Sequence, residues 1–441
     1  MLNVLYDASV LGIAYRNQST FGLSRTADQL LAALLEQPEV SLSLSSDVSY
    51  NVWLFTRLYL AQHPTYGRLP WRSDALNARF RNLIKDWLLK DALFSRYLAQ
   101  LKKIGLVKNE ARAYQWRSEL MEWRFRGTPR RSLAGLDIYH SNYHALPAVI
   151  REQHKVKAVL TVHDLIPILH PEWCGMLGQG AQQYFHPEFN LPATLRGLNR
   201  DHWIICPSAA SRDDVCEYLG TQIDPAKTRV IPWGASALFS PCTDPDRLQA
   251  VRIKYKLPAA PYFLSLGTLE PRKNLDTLIR CFYRLLQQER APDLYLVLAG
   301  PLGWDYGPIF QALRKHPQFA GRIVVTGYVA DEDLSALYSA ALAFVYPSLY
   351  EGFGLPPLEA MQCGTPVITS NLSSLPEVVG NAGILINPRD EDALAETMLG
   401  LYRSAGLRTE MSRRGLARAA LFSWHECARQ TVAVYREACG A

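Results

Sequence analysis

The sequence contains no long apolar run, which limits the ways in which the protein can meet a membrane. No stretch reaches the ~18 apolar residues of a membrane span, and residues 1–7, MLNVLYD, lack the charged and long apolar regions of a secretion signal. We therefore expect a cytoplasmic protein, whose membrane contact would be peripheral and at the inner face of the plasma membrane.

The spacing of cysteine and glycine excludes two further classes of protein. The eight cysteines form neither a C-x-x-C pair nor a metal-finger spacing, and several fall inside apolar segments. They are interpreted as reduced, mostly buried thiols. No strand-like run is followed by G-x-G-x-x-G, so a dehydrogenase that binds a dinucleotide is not expected.

What is present is an ordinary globular composition, with 48% apolar and 20% charged residues. At 441 residues the chain exceeds what one hydrophobic core usually organises, so two domains are expected. Apolar runs followed by helical patterns recur in both halves, which predicts the α/β class with two doubly wound parallel sheets. The predicted strands are 2–6, 156–162, 203–206 and 229–231, then 262–266, 294–298, 322–325, 342–346, 366–369 and 383–386.

Turn-rich segments at 232–236 and 241–246 indicate a domain boundary near residue 240. The serine-rich stretch 41–49 is interpreted as a loop. The predicted ranges are an N-terminal domain over 1–238, a C-terminal domain over 239–422 and a last amphipathic helix within 423–441.

The net charge of +6 is unevenly distributed. Residues 72–131 hold fifteen Lys or Arg and six Asp or Glu, and apolar residues recur there at helical spacing beside basic ones. Two interpretations stay open: helices that contact an anionic membrane, and a solvated helical insertion over about 50–131 that packs on its own domain. Nucleic acid is not expected as a partner, because no binding motif accompanies the charge.

A glycine turn between two carboxylates is the most informative motif, and it reads EGFGLPPLE at 351–359. Gly352 and Gly354 permit backbone angles that are closed to other residues, and the two prolines suit the first turn of a helix. The N-terminus of this helix would favour a diphosphate, with Glu351 toward the transferred sugar and Glu359 toward the ribose. The alternative is a helix with one capping carboxylate and one solvated glutamate.

Further candidates follow the predicted strand 262–266. Gly267 and Thr268 come first, and Arg272 and Lys273 then precede a helix. Ligands of open parallel sheets bind beyond the carboxyl ends of the strands. The planar fork of Arg272 and the mobile charge of Lys273 are therefore interpreted as phosphate ligands, although such a pair by itself is commonly a solvated turn.

Three other positions have both a functional and a structural interpretation. Gly300 and Gly327 close the next two strands as Gly267 closes the first, and the alternative is a plain turn glycine. His163 ends the predicted strand 156–162, where an imidazole could donate or accept a hydrogen bond near neutral pH. The alternative for His163 is a core histidine.

Together these motifs resemble those of the retaining glycosyltransferases of the GT-B fold, specifically glycosyltransferase family 4. The resemblance covers about residues 229–438 well, through 267–274, the E-x7-E motif at 351–359, GTPVI at 364–368, LPE at 375–377 and FSW at 422–424. It implies two Rossmann-like domains that face a central cleft, the first binding the acceptor and the second the nucleotide sugar. The last helix would cross back to the first domain.

The resemblance also implies roles for individual residues. Arg272 and Lys273 would bind the donor diphosphate, Glu351 would hold sugar hydroxyls, Phe353, Gly354 and Leu355 would offer backbone N–H groups, and Glu359 would hold the ribose. His163 would face the far hydroxyls of the donor sugar and the anomeric centre. Residues 21–25, FGLSR, resemble the glycine loop that approaches the diphosphate, with Gly22 as its glycine, but many relatives have two or more glycines there.

The implied reaction is retaining, metal-independent transfer of a hexose. Acidic runs at 331–333 and 390–392 open predicted helices, where acids are favoured anyway, so no metal site is expected. The partners are a nucleoside-diphosphate sugar, with GDP-mannose as first hypothesis, and a saccharide or lipid-linked saccharide of a surface glycan. No further cofactor is expected. Two alternatives are a nucleotide-sugar epimerase of the same architecture and a non-catalytic sugar-nucleotide sensor, although a sensor would not need the full set of residues.

Overall fold

The computed structural model describes residues 1–17, 22–73, 99–100, 103, 125, 127–174, 190–289, 291 and 293–440. Most of the basic segment 72–131, as well as Phe21, lies outside these residues, so the predicted helical insertion and its membrane contact stay predictions. Within the described residues, no helix is both long enough and apolar enough to cross a membrane.

Among the residues that the structure describes, twelve strands form two six-stranded sheets. The strands of the first sheet are β1 Leu2–Asp7, β2 Val40–Ser45, β3 Ile138–Ser141, β4 Lys157–Thr161, β5 Trp203–Cys206 and β6 Thr228–Val230, and their order is β2-β1-β3-β4-β5-β6. The strands of the second sheet are β7 Tyr262–Leu266, β8 Tyr295–Ala299, β9 Ile323–Gly327, β10 Ala343–Tyr346, β11 Val367–Ser370 and β12 Ile384–Ile386, and their order is β12-β11-β10-β7-β8-β9.

Helices connect successive strands, as expected for parallel pairing. In the first half they are α1 Ser9–Arg16, α2 Gly22–Leu35, α3 Tyr50–Gln62, α4 Ala148–Arg151, α5 Ile166–Leu169, α6 Leu191–Arg196 and α7 Ala209–Leu219. In the second half they are α8 Pro245–Lys254, α9 Leu275–Glu289, α10 Gly307–Arg314, α11 Asp331–Ser339, α12 Leu355–Gln362, α13 Leu375–Val379, α14 Glu391–Arg403, α15 Ala405–Ala419 and α16 Trp424–Cys439. Side-chain caps mark several starts; for example, Asp390 Oδ1 accepts from Ala393 N (2.9 Å) at α14.

The prediction of a loop over 41–49 is wrong for its first half, because residues 40–45 form β2. This strand pairs in parallel with β1, and Leu42 and Leu44 are buried. Ser43 between them donates to Val4 O (3.3 Å) of β1. Serines that bond to a neighbouring strand lower the apolar content of the segment, so composition alone hides the strand.

The four-residue strand β3 is also absent from the predicted strands, for a related reason. It includes a buried histidine, His140, whose ring nitrogens lie 2.6 Å from Tyr435 Oη and 2.8 Å from Thr161 Oγ1. A polar residue in a central strand is tolerated because both nitrogens have partners. The sequence pattern does not show those partners.

The second sheet is buried on both faces, as a doubly wound sheet requires. Along β7 and β10, successive side chains enter opposite cores: Leu264 and Phe344 pack with the residues of one face, and Phe263 and Val345 with those of the other. Helices therefore cover both sides of the sheet. The predicted α/β class with two doubly wound sheets is confirmed.

Two compact units are present, and each is discontinuous in sequence. One comprises Met1–Thr161, Pro187–Trp203 and Val432–Ala441, and the other comprises Val162–His186 and Ile204–Thr431. The domain ranges 1–238, 239–422 and 423–441 stay predictions.

Candidate active site

In the second sheet, β7 and β10 are neighbours, so their carboxyl ends lie side by side. From β7 the chain proceeds to β8 and β9 on one side, and it then returns to β10 on the other side of β7. This is a topological switch point, where open parallel sheets bind ligands. Arg272 and Lys273 follow β7, and Glu351 follows β10. The fold thus brings three predicted site residues to one place.

Hydrogen bonds tie the turn after β7 to the loop after β10. Pro271–Lys273 forms a 3-10 turn that ends at Asn274, whose φ of 55° is left-handed. The Asn274 side chain donates to Pro347 O (3.2 Å), and Leu349 N donates to Arg272 O (2.9 Å). These bonds hold both cations against the loop that carries Glu351, although 78 residues separate Lys273 from it.

Glu351 gathers four donors on one carboxylate oxygen. Its Oε1 lies 2.7 Å from Arg272 Nη1 and 2.6 Å from Lys273 Nζ. The same oxygen accepts hydrogen bonds from Tyr346 Oη (2.8 Å) and Ser348 Oγ (2.7 Å). The carboxylate is therefore fixed in position and is the central counterion of the cluster.

The two cations keep donors for a ligand. Arg272 Nη1 also donates to Tyr350 O (2.8 Å), and its Nη2 lies 2.5 Å from Glu270 Oε1. Lys273 Nζ donates to Tyr346 Oη and lies 4.7 Å from the centroid of that ring. A guanidinium has five N–H donors and an ammonium three. The contacts with described residues use only part of them, so N–H groups remain for phosphate oxygens.

The electrostatics of the cluster follow from burial and from these pairings. Burial by itself raises the pKa of Glu351, but the charges of Arg272 and Lys273 outweigh it and lower that pKa to about 2. Burial lowers the pKa of Lys273, and the neighbouring Arg272 charge lowers it further. Burial opposes the charged form of Arg272 as well, but Glu351 and Glu270 raise its pKa well above the usual value. Glu351 is thus an anion at every physiological pH.

The glycine turn leads into α12 as its sequence predicts. Gly354 is the N-cap residue with a φ of 123°, which only glycine adopts readily. Gly352 needs no such angle, and here the structure corrects the prediction: a Cβ on Gly352 would lie 2.3 Å from His163 O and 2.9 Å from Asp164 Cβ. Close backbone approach, rather than an unusual φ, requires this glycine. Pro356 and Pro357 occupy the first turn.

His163 lies beside the glycine turn. Ser211 Oγ donates to both His163 O (3.1 Å) and Gly352 O (3.0 Å), which joins the two segments. The His163 ring centroid is 5.1 Å from that of Trp233. The next residue, Asp164, accepts a hydrogen bond from Ile166 N (3.0 Å). Burial raises the pKa of Asp164, while the charge of Arg272 opposes this rise.

Of the remaining glycines at the strand ends, Gly267 and Gly300 pack against each other and Gly327 does not. Gly267 has a φ of 148° and Gly300 a φ of 136°, and a Cβ on Gly300 would lie 2.1 Å from Gly267 O. A Cβ on Gly303 would lie 2.6 Å from Thr268 Cγ2. These close approaches give Gly300 a packing role whatever ligand binds there. Gly327 has a φ of 71° and open space around it, which is typical of a turn glycine.

Four other predicted residues make no contact with Arg272 or Lys273 among the contacts of the described residues. The Glu359 side chain is buried in α12, where Tyr338 Oη donates to its Oε2 (3.1 Å). The Phe353 side chain packs in the core against Trp233 and Phe422, which leaves its backbone for the predicted role. Leu355 begins α12. Gly22 begins α2 in the other compact unit, and a Cβ there would meet nothing within 4 Å. The donor-binding roles of these four residues stay predictions.

Several participants were missed from the sequence: Glu270, Tyr346, Ser348, Asp164 and Ser211. Four of them lie within six residues of a predicted site residue, so proximity to the motifs could have suggested them. The sequence pattern indicates only that Tyr346 is the last residue of the predicted strand 342–346. Its hydroxyl matters because it reaches the buried carboxylate beyond the strand.

The acidic runs that the sequence assigned to helix starts have structural partners. Asp333 of α11 pairs with Arg247 (2.5 Å) and Lys254 (2.6 Å). At the start of α14, Glu391 pairs with Arg280 (2.8 Å). These carboxylates are therefore used in packing α11 and α14 against neighbouring helices.

Comparison with known proteins identifies the family. Residues 250–418 match the family described as glycosyl transferases group 1, and residues 98–237 match glycosyltransferase family 4. The chain is 35% identical over 312 residues to the O-antigen chain mannosyltransferase B of Escherichia coli, covering 70% of this chain and 77% of that one. It is 34% identical over 278 residues to a serotype-specific mannosyltransferase, WbdA, of Escherichia coli, covering 63% of this chain but only 33% of that larger protein.

The fold agrees with this relationship. Sucrose-phosphate synthase from Thermosynechococcus elongatus superposes with a TM-score of 0.61 at 20% identity, over 99% of both chains. At that identity the likeness concerns the fold, which is the two-sheet GT-B architecture. The chain therefore belongs to glycosyltransferase family 4 and is a glycosyltransferase.

Proposed function

We propose that the protein transfers mannose from GDP-mannose to a saccharide acceptor, free or lipid-linked, during assembly of a surface glycan. Both Escherichia coli relatives are named as mannosyltransferases, one for an O-antigen chain and one as serotype-specific. Those names support mannose as the sugar and a polysaccharide as the product. The epimerase and sensor alternatives are not favoured, because both family matches are to transferases.

The observation that carries the proposal is the position of Arg272 and Lys273 at the switch point beside the start of α12. Breaking the bond between an anomeric carbon and a diphosphate leaves negative charge on the phosphate. Lys273, which is buried, Arg272, whose side chain is 15% exposed, and the N-terminus of α12 supply the charges and dipoles that would stabilise such a leaving group. Because they are fixed by packing before the substrate arrives, little reorganisation is needed during the reaction.

Metal-independent transfer with retention of configuration is the mechanism we propose. Arg272 and Lys273 supply the positive charge at the diphosphate. The acceptor hydroxyl would attack from the face that the diphosphate leaves, and the departing phosphate oxygen would take its proton. We do not assign Glu351 as a nucleophile, because four side chains fix its Oε1 and the charges of Arg272 and Lys273 lower its pKa to about 2, which makes the carboxylate a weak base. Its charge instead helps to keep Arg272 and Lys273 in place. In this mechanism the Glu351 carboxylate also faces the sugar hydroxyls, as does His163 on the segment after β4.

The test is a transfer assay with GDP-mannose and octyl α-D-mannopyranoside as a simple acceptor, with and without EDTA. We expect a mannosylated product whose new linkage has the α configuration of the donor by NMR, and equal rates in EDTA. UDP-glucose, dTDP-glucose and ADP-glucose are the donor controls. A β linkage would contradict retention, loss of rate in EDTA would contradict metal independence, and a preferred donor other than GDP-mannose would contradict the sugar assignment.

A further inference from the structure

The first sheet has the same topological feature as the second. From β1 the chain proceeds to β2 on one side, and it later returns to β3 on the other side of β1. The carboxyl ends of β1 and β3 therefore form a second switch point, where a ligand is expected. Asp7 is the last residue of β1, and His144 lies three residues beyond the end of β3. These two side chains have no part in the cluster around Arg272.

Asp7 and His144 form a buried pair. Their side chains are 2% and 7% exposed, and His144 Nδ1 lies 3.4 Å from Asp7 Oδ2. The other oxygen of Asp7 accepts from Ser9 N (3.0 Å) and from Ser9 Oγ (2.5 Å). Ser141 Oγ donates to His144 O (2.7 Å) and so fixes the loop that carries the imidazole. Hydrogen bonds next to β1 thus fix the Asp7 side chain, and a hydrogen bond from the end of β3 fixes the backbone of His144.

The imidazole of His144 lacks the hydrogen bonds that a core histidine normally makes. Neither ring nitrogen has a hydrogen-bond partner within the described part of the chain, although both are buried. By contrast, both ring nitrogens of the nearby core histidine, His140, have partners. Buried polar groups without partners are uncommon and costly. A long contact such as the one to Asp7 is typical of ligand-free sites, where hydrogen bonds shorten when the substrate binds.

The chemistry of the Asp7–His144 pair indicates which kind of chemical group would bind there. With Nδ1 protonated toward Asp7, Nε2 of a neutral imidazole is an acceptor, so it needs an O–H or N–H donor. An anion is disfavoured because a second carboxylate, Asp47, lies close enough for the charge of Asp7 to contribute, after desolvation as the main cause, to raising the pKa of Asp47 to about 6. A saccharide hydroxyl satisfies both conditions.

We infer that His144, oriented by Asp7, binds a hydroxyl group of the acceptor saccharide through Nε2. His144 lies among the bends between β3 and α4, outside any helix or strand. Asp7 is then a positioning residue, because it acts through His144. The inference rests on the proposed function, since it assumes that the second substrate is a saccharide.

The test is direct binding by the full chain, measured by calorimetry with octyl α-D-mannopyranoside in the presence of GDP, and separately with GDP-mannose alone. We expect His144→Ala to weaken octyl mannoside binding at least tenfold and to leave GDP-mannose affinity within twofold. His144→Gln should recover part of the octyl mannoside affinity, because its side-chain amide oxygen can accept near the Nε2 position. If His144→Ala does not fold, the octyl mannoside affinity of His144→Gln tests the inference in its place. Asp7→Asn should raise the KM for octyl mannoside more than it lowers kcat.

His154 is the matched control, because it also faces an aspartate, Asp201, at 3.9 Å, but both side chains are largely exposed. His154→Ala should leave both affinities unchanged. Equal octyl mannoside affinity in the wild type and His144→Ala, or no binding by the wild type, would overturn the inference. If the wild type binds octyl mannoside through His144 but does not bind GDP-mannose, the donor assignment fails and the inference stands.

Discussion

Glu351, whose side chain is only 12% exposed, is better described as a counterion than as a reactive carboxylate. Removing its charge would leave Arg272 and Lys273 close together in a desolvated place, with Glu270 as the neighbouring anion. An isolated buried charge is costly, and breaking a buried pair costs more than the pair contributes when intact. In the proposed mechanism the same residue also faces the donor sugar. The neutral isostere glutamine at position 351 can separate the effect of the Glu351 charge on stability from its effect on turnover.

We predict that Glu351→Gln lowers kcat at least 100-fold, while the Kd for GDP stays within about threefold. The amide keeps the shape but loses the charge that faces the sugar hydroxyls, whereas Tyr350 O and Glu270 still hold Arg272 for the diphosphate. Steady-state kinetics and calorimetry give the two values. Glu410→Gln is the control, because Glu410 forms exposed ion pairs with Arg413 and Arg414. Unchanged turnover in Glu351→Gln would remove this residue from the mechanism.

The low pKa of Glu351 predicts how its contribution to stability depends on pH. The pKa is about 2 in the folded protein against a usual value of 4.5, so the unfolded chain binds the proton more readily. The resulting contribution to the free energy of unfolding, on the order of 3 kcal/mol, is fully present above pH 4.5. It is lost as the pH falls from 4.5 toward 2.

Urea unfolding of the wild type and Glu351→Gln at pH 6, 4.5 and 3.5 checks this dependence. The difference in the free energy of unfolding between the two proteins should be similar at the two higher values and smaller at pH 3.5. A difference that stays constant or grows with acidity would show that the carboxylate is not stabilised as an anion by its neighbours.

At the scale of elements, the site depends on how closely the glycine turn approaches the segment after β4. Ser211 Oγ joins His163 O to Gly352 O, and Ser208 Oγ donates to Gly352 O (2.7 Å). Both serines lie at the start of α7. The N-terminal turn of α7 thus holds the turn before α12 against the segment that carries His163. This arrangement requires a residue without a side chain at position 352.

We predict that Gly352→Ala destabilises the protein by about 1–3 kcal/mol and lowers kcat/KM at least tenfold. The added Cβ would lie 2.3 Å from His163 O, which is backbone and cannot rotate away. The turn must therefore shift and take Glu351 with it. Urea unfolding and steady-state kinetics measure the two effects.

Gly400→Ala is the matched control for a glycine that needs no special space. Gly400 lies within α14, and a Cβ there would meet nothing within 4 Å. Alanine at this position should stabilise the protein by about 0.5–1 kcal/mol without changing kcat/KM. If both variants behaved alike, the close approach to His163 would have no functional importance.

At the scale of the whole molecule, nucleotide binding should appear as a gain in stability. A ligand that binds only the folded state stabilises it by about 2.7 kcal/mol at 100 times its Kd. We predict that GDP at this ratio raises the Tm of the wild type by several degrees. In Arg272→Ala at the same GDP concentration, the rise, measured from the variant's own ligand-free Tm, should be less than half as large, because the variant lacks a proposed ligand of the diphosphate.

Arg284→Ala is the control for this prediction. Arg284 of α9 forms an exposed ion pair with Asp392 of α14. Exposed ion pairs contribute little to stability. Its GDP-induced rise should equal that of the wild type. An equal rise in Arg272→Ala would place the diphosphate away from the switch point of the second sheet.

The parts of the fold that could be predicted are those with strong local patterns. The apolar strands of the second half were predicted within a few residues, because a sheet buried on both faces needs continuous apolar runs. β2 and β3 were not, since Ser43 and His140 satisfy their polar groups through partners distant in sequence. Gly354 was predicted for its conformation, but the reason for Gly352 became visible only from its neighbour His163.

The amino-acid sequence by itself determined the α/β class, the family and the residue types of the proposed donor site, because strand periodicity and the motif 351–359 depend on neighbours along the chain. Only the tertiary structure decided that Arg272 and Lys273 share one oxygen of Glu351, and that Asp7 faces His144. Both pairings join residues from different strand ends. Sheet order brings those ends together, and strand order is set by packing over the whole sheet rather than by any local pattern.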